Sequence, residues 1–107
     1  MNLLQTYSEC LKKGDAEKIA SLFTEDAIFN DAGPTKLGQK TINLKGRKKI
    51  EALFKILLAR GGFKVSNIGI NNNAMRYDVE IGGTSFLALG VMKVENNLIK
   101  EYIVTVV

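Results

Sequence analysis

The sequence predicts an α+β domain in which three helices from the N-terminal half pack on one side of a curved antiparallel sheet. Two observations carry this reading. Apolar residues recur at three- and four-residue spacing as far as Arg60, and beyond it they alternate with a period of two. The alternating part is cut by "NNN", "GG" and "NN", which are hairpin signals. The expected order is α-α-β-α-β-β-β-β, in one domain over residues 1–107. A chain of this length can bury a single core.

Leu3, Leu4, Tyr7, Cys10 and Leu11 share one face of the first helix, and Gly14 is placed to cap its end. Asp15 is a good N-cap for a second, short helix, and Glu17 in its first turn complements the helix dipole. Ala16, Ile19, Ala20, Leu22 and Phe23 supply its buried side, "TED" ends it, and "AIFND" is a short strand. Residues 32 to 45 hold the only proline and two glycines and read as a loop, with a short strand at "TINL". From Arg47 to Arg60, the residues Ile50, Leu53, Phe54, Leu57 and Leu58 make the stripe of a third helix, which Gly61-Gly62 stops.

Four strands follow: "FKVSNIGI", "AMRYDVEI", "TSFLALGVMKV" and "LIKEYIVTVV". In the second, Met75, Tyr77, Val79 and Ile81 face one way, and Arg76, Asp78 and Glu80 the other. The third is apolar on both faces, with Phe86, Ala88, Met92 and Val94 opposite Leu87, Leu89 and Val91. Such a strand must be covered twice. The helices supply one cover, and the expectation for the other is a second copy of the chain, a homodimer packed sheet to sheet. Gly69 and Gly90 are placed where bends or bulges would let the sheet curl.

Composition excludes several classes of function. There is no histidine, so histidine bases, histidine metal ligands and histidine-containing triads are absent. One cysteine, Cys10, allows no internal disulfide and reads as a small buried hydrophobe. No metal and no cofactor are expected. The net charge is +4, but the basic run "KGRKK" opens a helix and carries no aromatic, so nucleic acid is not the expected partner. No apolar run is long enough to cross a membrane as a helix, and the first residues lack a signal-peptide pattern, so a cytoplasmic location is expected.

The element order, together with "GDAEKIASLFTEDAIFND" and "LKGRKKIEALFK", resembles the nuclear transport factor 2-like superfamily over nearly the whole chain. That superfamily includes ketosteroid isomerases and polyketide cyclases of the SnoaL type. The resemblance implies a cone with an interior pocket for a small hydrophobic ligand. In the ketosteroid isomerase arrangement, a tyrosine lies eight residues before the Asp of the Gly-Asp pair and the general base sixteen residues after it. Tyr7 and Asp31 stand at these positions without a gap. By this resemblance Asp31 would move a proton and Tyr7 would hold a ligand oxygen. Phe29, Phe54, Met75, Phe86, Gly90, Met92 and Tyr102 would line the ligand site. The family's second oxyanion donor, a protonated acid on a late strand, aligns with Gly90 and is therefore missing. Losing one such donor typically costs about 3–4 kcal/mol in the transition state.

The residues themselves leave other readings open. Asp31 could cap the turn at "DAGP", where aspartate bonds its own backbone. Tyr7 could be an ordinary core aromatic. Arg76, Asp78 and Glu80 read as a solvated strand face with weak ion pairs. Two functions are therefore expected: a cofactor-free proton-transfer enzyme of isomerase or cyclase type, or a non-catalytic dimeric module for ligand binding or protein association.

Overall fold

A computed structural model describes residues 2–61 and 63–107. The chain begins with α1 (Leu3–Lys13) and α2 (Ala16–Ser21), followed by β1 (Phe23–Asp31). A 3-10 helix (Gly33–Leu37), β2 (Ile42–Lys45) and α3 (Arg47–Ala59) come next. The meander is β3 (Lys64–Asn71), β4 (Ala74–Ile81), β5 (Thr84–Glu95) and β6 (Leu98–Val106). Among the described residues no helix is long and apolar enough to cross a membrane.

The helix ends follow the expected chemistry. The Leu4 N–H donates to Asn2 Oδ1 at 2.7 Å, and Gly14 closes α1 in the left-handed conformation at φ 75°. Asp15 caps α2, accepting from the Lys18 N–H at 3.1 Å. Helix α2 ends at Ser21, so "TED" lies within β1 rather than at a helix end, and Phe23 opens that strand. Of the Gly61-Gly62 stop to α3, Gly62 lies outside the described residues. The region expected to be a loop contains the 3-10 helix, whose first turn begins with Gly33-Pro34.

The six strands form one sheet in the order β2-β1-β6-β5-β4-β3. It is mixed, not wholly antiparallel: β1 runs parallel to β6, with Phe29 opposite Tyr102 and Asp31 opposite Val104. The reason is topological. The chain leaves β1 through β2, α3 and the first three strands of the meander before β6 returns alongside it in the same direction. The hairpins use the turns the sequence announces. Asn96 and Asn97, like Gly82 and Gly83, all have positive φ, as two-residue primed turns require.

Register shifts at Phe23/Ile28, Ser66/Gly69 and Lys93/Val94 bend the sheet round the helices. Across the last of these Val94 pairs with the buried Ile99 and so keeps the face it shares with Met92, although near the strand end it is 41% exposed. Gly69 lies at a shift as expected, but Gly90 does not: its pairing to Met75 and Val104 is regular on both sides.

The "GR" pair at 46–47 explains how α3 is set against β1. The Gly46 N–H bonds the Ala27 carbonyl at 2.8 Å, and Gly46 has φ 107°, a conformation other residues rarely adopt. The Arg47 guanidinium donates from Nε (2.9 Å) and Nη2 (2.7 Å) to the carbonyl of Phe23, a fully buried residue. A hydrogen bond from a charged group contributes about 1.5–3 kcal/mol. Arg47→Met is therefore expected to lower the unfolding free energy in urea by about 1.5–3 kcal/mol. Arg47→Lys should recover only part of the loss, because an ammonium cannot reproduce the fork.

Candidate functional site

Under the open end of the sheet lies a cavity of about 70 Å³. Asp31 at the end of β1, with Gly33, Pro34 and Leu37 of the 3-10 helix, forms one wall. Tyr77, Val79 and Ile81 of β4 and Phe86 and Ala88 of β5 form the opposite wall, and Ile42, Leu57 and Phe63 complete it. Among these side chains Asp31 is the one carboxylate and Tyr77 the one hydroxyl. The volume is well below the ~300 Å³ at which pockets for drug-sized ligands begin. A single water needs about 10–15 Å³, so there is room for about five water-sized groups.

The β4–β5 register decides which residues reach this space. Counting inward from the Gly82-Gly83 turn, Val79 pairs with Phe86 and Tyr77 with Ala88, and all four line the cavity. The next inward-facing pair, Met75 and Gly90, lies beyond it in the closed core.

Of the residues expected at the site, the structure places Asp31 and Phe86 on the cavity wall. Tyr7, Phe29, Phe54, Met75, Gly90, Met92 and Tyr102 lie deeper and do not line it. The physical reason is an aromatic cluster. Tyr7 meets Phe23, Phe54 and Tyr102 edge-on at centroid distances of 6.3, 6.1 and 5.1 Å. Phe29 packs against Phe23, Phe54 and Tyr102 at 6.2, 5.5 and 6.0 Å. These rings fill the inner end of the cone with one another. The phenol that shares the cavity with Asp31 is accordingly Tyr77, not Tyr7.

Asp31 combines the two readings that its sequence position left open. Its Oδ1 accepts the Gly33 N–H at 2.8 Å, a local turn bond two residues on. Its side chain nevertheless lies half-buried against apolar walls. Burial raises its pKa above the ordinary 3.8, and the Gly33 bond opposes the rise without cancelling it. Gly33 is what permits this approach. A Cβ there would lie 3.0 Å from Asp31 Oδ1 and 3.5 Å from the Phe86 ring. Burial likewise pushes the Tyr7, Tyr77 and Tyr102 phenols up, so each remains a protonated donor well above neutral pH.

Gly90 has a further structural meaning. A Cβ built on it would fall 2.1 Å from the Tyr102 hydroxyl and 2.5 Å from the ring carbon that carries it. The hydroxyl therefore occupies the space a side chain at position 90 would need. Tyr102 is fully buried, and its hydroxyl has no hydrogen-bond partner of proper geometry among the described residues. The Tyr77 phenol is its polar neighbour, close enough for each to act on the other's ionisation as a hydrogen-bonding group. A glycine inside a strand costs about 0.5–1 kcal/mol relative to alanine.

Sequence reasoning missed Tyr77, Val79, Ile81 and Ala88 as lining residues, although it put the first three on one face of their strand without saying which face looks inward. The missing signal was depth. The Gly82-Gly83 turn fixes the β4–β5 pairing, and that pairing separates the mouth from the core. Among the described residues, no group of His, Cys, Asp and Glu side chains is arranged to hold a metal ion.

The raised pKa of Asp31 makes a signed prediction. The folded state holds this proton more tightly than the unfolded chain, so the group's contribution to stability falls as pH rises from about 3.8 through the folded pKa. Asp31→Asn, which keeps the acceptor for Gly33, should raise Tm at pH 7. The gain should shrink on acidification and vanish below about pH 3.9, where the carboxyl is protonated in both states. Thermal melts of both proteins across this range check it.

No family model matches the chain, and neither does any curated protein. Solved structures do. A nuclear transport factor 2-like protein of unknown function from Mesorhizobium loti matches with a TM-score of 0.77 at 15% identity, covering 98% of this chain and 88% of that one. A "putative polyketide cyclase" from Pseudomonas putida matches at 0.75 and 15% identity, with 98% and 91% covered. A "putative ketosteroid isomerase" from Kribbella flavida matches at 0.70 and 14% identity, with 98% and 75% covered. At these identities the likeness is one of fold, and a shared fold carries no activity by itself. The chain has the nuclear transport factor 2-like fold, an α+β cone with three helices against an open, curved, mixed sheet.

Proposed function

We propose that the cavity binds a small, mostly apolar carbonyl compound and that Asp31 moves a proton at the carbon next to the carbonyl, without a cofactor. The observation that carries this reading is that Asp31 and Tyr77 share one small apolar cavity. Desolvation raises the basicity of the carboxylate above that of an ordinary aspartate, the direction that favours its use as a proton acceptor. The Tyr77 phenol is a donor able to hold the oxygen on which negative charge develops. The fold of structures described as polyketide cyclases and a ketosteroid isomerase agrees with such chemistry. The cavity volume favours a ligand far smaller than a steroid.

Exchange of the α-protons of cyclopentanone in D2O, followed by proton NMR, tests the proposal. The protein should accelerate exchange, Asp31→Asn should return it to the buffer rate, and Tyr77→Phe should slow it roughly a hundredfold. Binding of the ketone without faster exchange would instead support a non-catalytic binding module. That second reading draws on Gly90, which leaves no carboxylic acid facing Asp31 from β5.

We further propose that two copies of the chain associate through the outer sheet face, in the cytoplasm that the sequence suggests. Leu89, Val91 and Ile103 on that face are 42%, 49% and 39% exposed, and Val91 pairs with Ile103. Lys93 and Glu101 sit together beside them, and Arg76 and Asp78 lie on the same face of β4. Charges of both signs round an apolar centre suit a two-fold, self-complementary contact. Sedimentation at low micromolar concentration should give twice the 11.8 kDa chain mass, and a single 11.8 kDa species would contradict the dimer.

A further inference from the structure

One wall of the cavity is held differently from the others. Tyr77, Val79, Phe86 and Ala88 stand on paired strands, and Leu57 stands on α3. Gly33, Pro34 and Leu37 stand on the 3-10 helix between β1 and β2. The hydrogen bonds of this segment close mostly on itself. The Thr35 N–H donates to the Ala32 carbonyl at 3.0 Å, the Gly38 N–H to the Thr35 carbonyl at 3.2 Å and the Gln39 N–H to the Pro34 carbonyl at 3.0 Å. The near end is anchored, the Ala32 N–H donating to the Val104 carbonyl at 3.0 Å. Beyond that anchor, among the described residues, the one hydrogen bond that ties 33–39 to the wall facing it is Gly33 N–H to Asp31 Oδ1, at 2.8 Å. Residues 35–40 are all exposed. Little burial and self-contained bonding mark a segment that opens locally at far less cost than the whole domain. Ala32 before the turn and Gly38 after it, at φ 76°, are end positions that can absorb a hinge rotation.

We infer that the 3-10 helix is a hinged lid on the cavity, latched shut by the Asp31 carboxylate through the Gly33 N–H, and that a ligand enters when this latch is released. This rests on the reading of the cavity as a ligand site and adds how the ligand reaches it. The latch uses Oδ1 and leaves Oδ2 to face the ligand. One carboxylate thereby closes the lid and works behind it. Gly33 is suited to this place for a second reason. Its φ is not positive, so no backbone conformation demands a glycine, and what its missing side chain permits is the close seating of the lid against Asp31 and Phe86.

Thiol labelling tests this without a ligand. Ala88→Cys puts a thiol on the buried inner wall of the cavity, and the native Cys10, buried in the sealed core, reports opening of the whole domain. Iodoacetamide labelling of each site is followed by mass spectrometry. In the Ala88→Cys background, Asp31→Leu keeps the bulk but removes the acceptor. It should speed labelling of the introduced thiol roughly tenfold or more, the factor that one lost hydrogen bond to a charged group makes in an opening equilibrium. Labelling of Cys10 should stay as slow as before. Asp31→Asn keeps an acceptor and should stay within about threefold of the parent, since a neutral bond is weaker but still closes the lid. Gly33→Ala, whose Cβ would lie 3.0 Å from Asp31 Oδ1, should speed labelling with the carboxylate still present, and it decides alone if Asp31→Leu does not fold. Equal rates with and without the latch, acceleration that Cys10 shares, or Asp31→Asn behaving like Asp31→Leu would each show a fixed wall and overturn the inference. The proton-transfer reading would survive that result, because no ligand enters the test. Latch-dependent labelling in a protein that fails to accelerate ketone exchange would instead support the lid and count against proton transfer.

Discussion

Five aromatic rings decide where this cone is full and where it is empty. Tyr7 comes from α1, Phe23 and Phe29 from β1, Phe54 from α3 and Tyr102 from β6, so the cluster ties four elements together. Edge-to-face pairs contribute about 0.5–1.5 kcal/mol each beyond the area they bury. Their greater effect is geometric. They fill the inner end, and the cavity that Asp31 lines lies toward the Gly82-Gly83 hairpin.

At the boundary between full and empty, polar groups appear. Asp31 ends β1, bonds back to Gly33, and thereby fixes the 3-10 helix as one wall of the cavity. Its turn-capping and its burial are not competing explanations, since the first sets the orientation from which the second raises its pKa. Opposite it, Tyr77 belongs to the same inward-facing row as Met75 but lies one pair nearer the mouth. Behind both, Tyr102 projects its hydroxyl into the space that Gly90 leaves open. Three glycine positions thus shape the site by different means: Gly33 by closeness to the carboxylate, Gly82 by the turn that sets register, and Gly90 by the absence of a side chain.

Much of the fold was legible because it rests on local chemistry. Asp15 and Gly14 announce their caps, Gly82-Gly83 and Asn96-Asn97 announce their turns, and alternation in 74–81 assigns each side chain to a face. The parallel β1–β6 pair was not legible, because it joins segments separated by most of the chain and no local signal records it. The register shift at Lys93/Val94 is likewise something that alternation alone does not reveal. At the site, Asp31 was identified and its phenol partner was not. Spacing along the sequence singled out Tyr7, but depth within the cone is a tertiary property, and the packing of Phe54 and Tyr102 against Tyr7 removes that phenol from the cavity. Gly90 illustrates the same limit. On the sequence it is a missing acid and a candidate bend, whereas in three dimensions it is the place of another residue's hydroxyl.

The central claim is that ligand binding is confined to the space between Asp31 and the β4–β5 hairpin, with the aromatic end of the cone closed. A methyl-resolved NMR titration with cyclopentanone addresses it most directly. The methyls of Ile42, Leu57, Val79 and Ile81 should shift in proportion to occupancy, and those of Leu4, Ile19 and Ile50, in the sealed core, should stay in place. Shifts centred on the core methyls, with the hairpin methyls unmoved, would contradict the account.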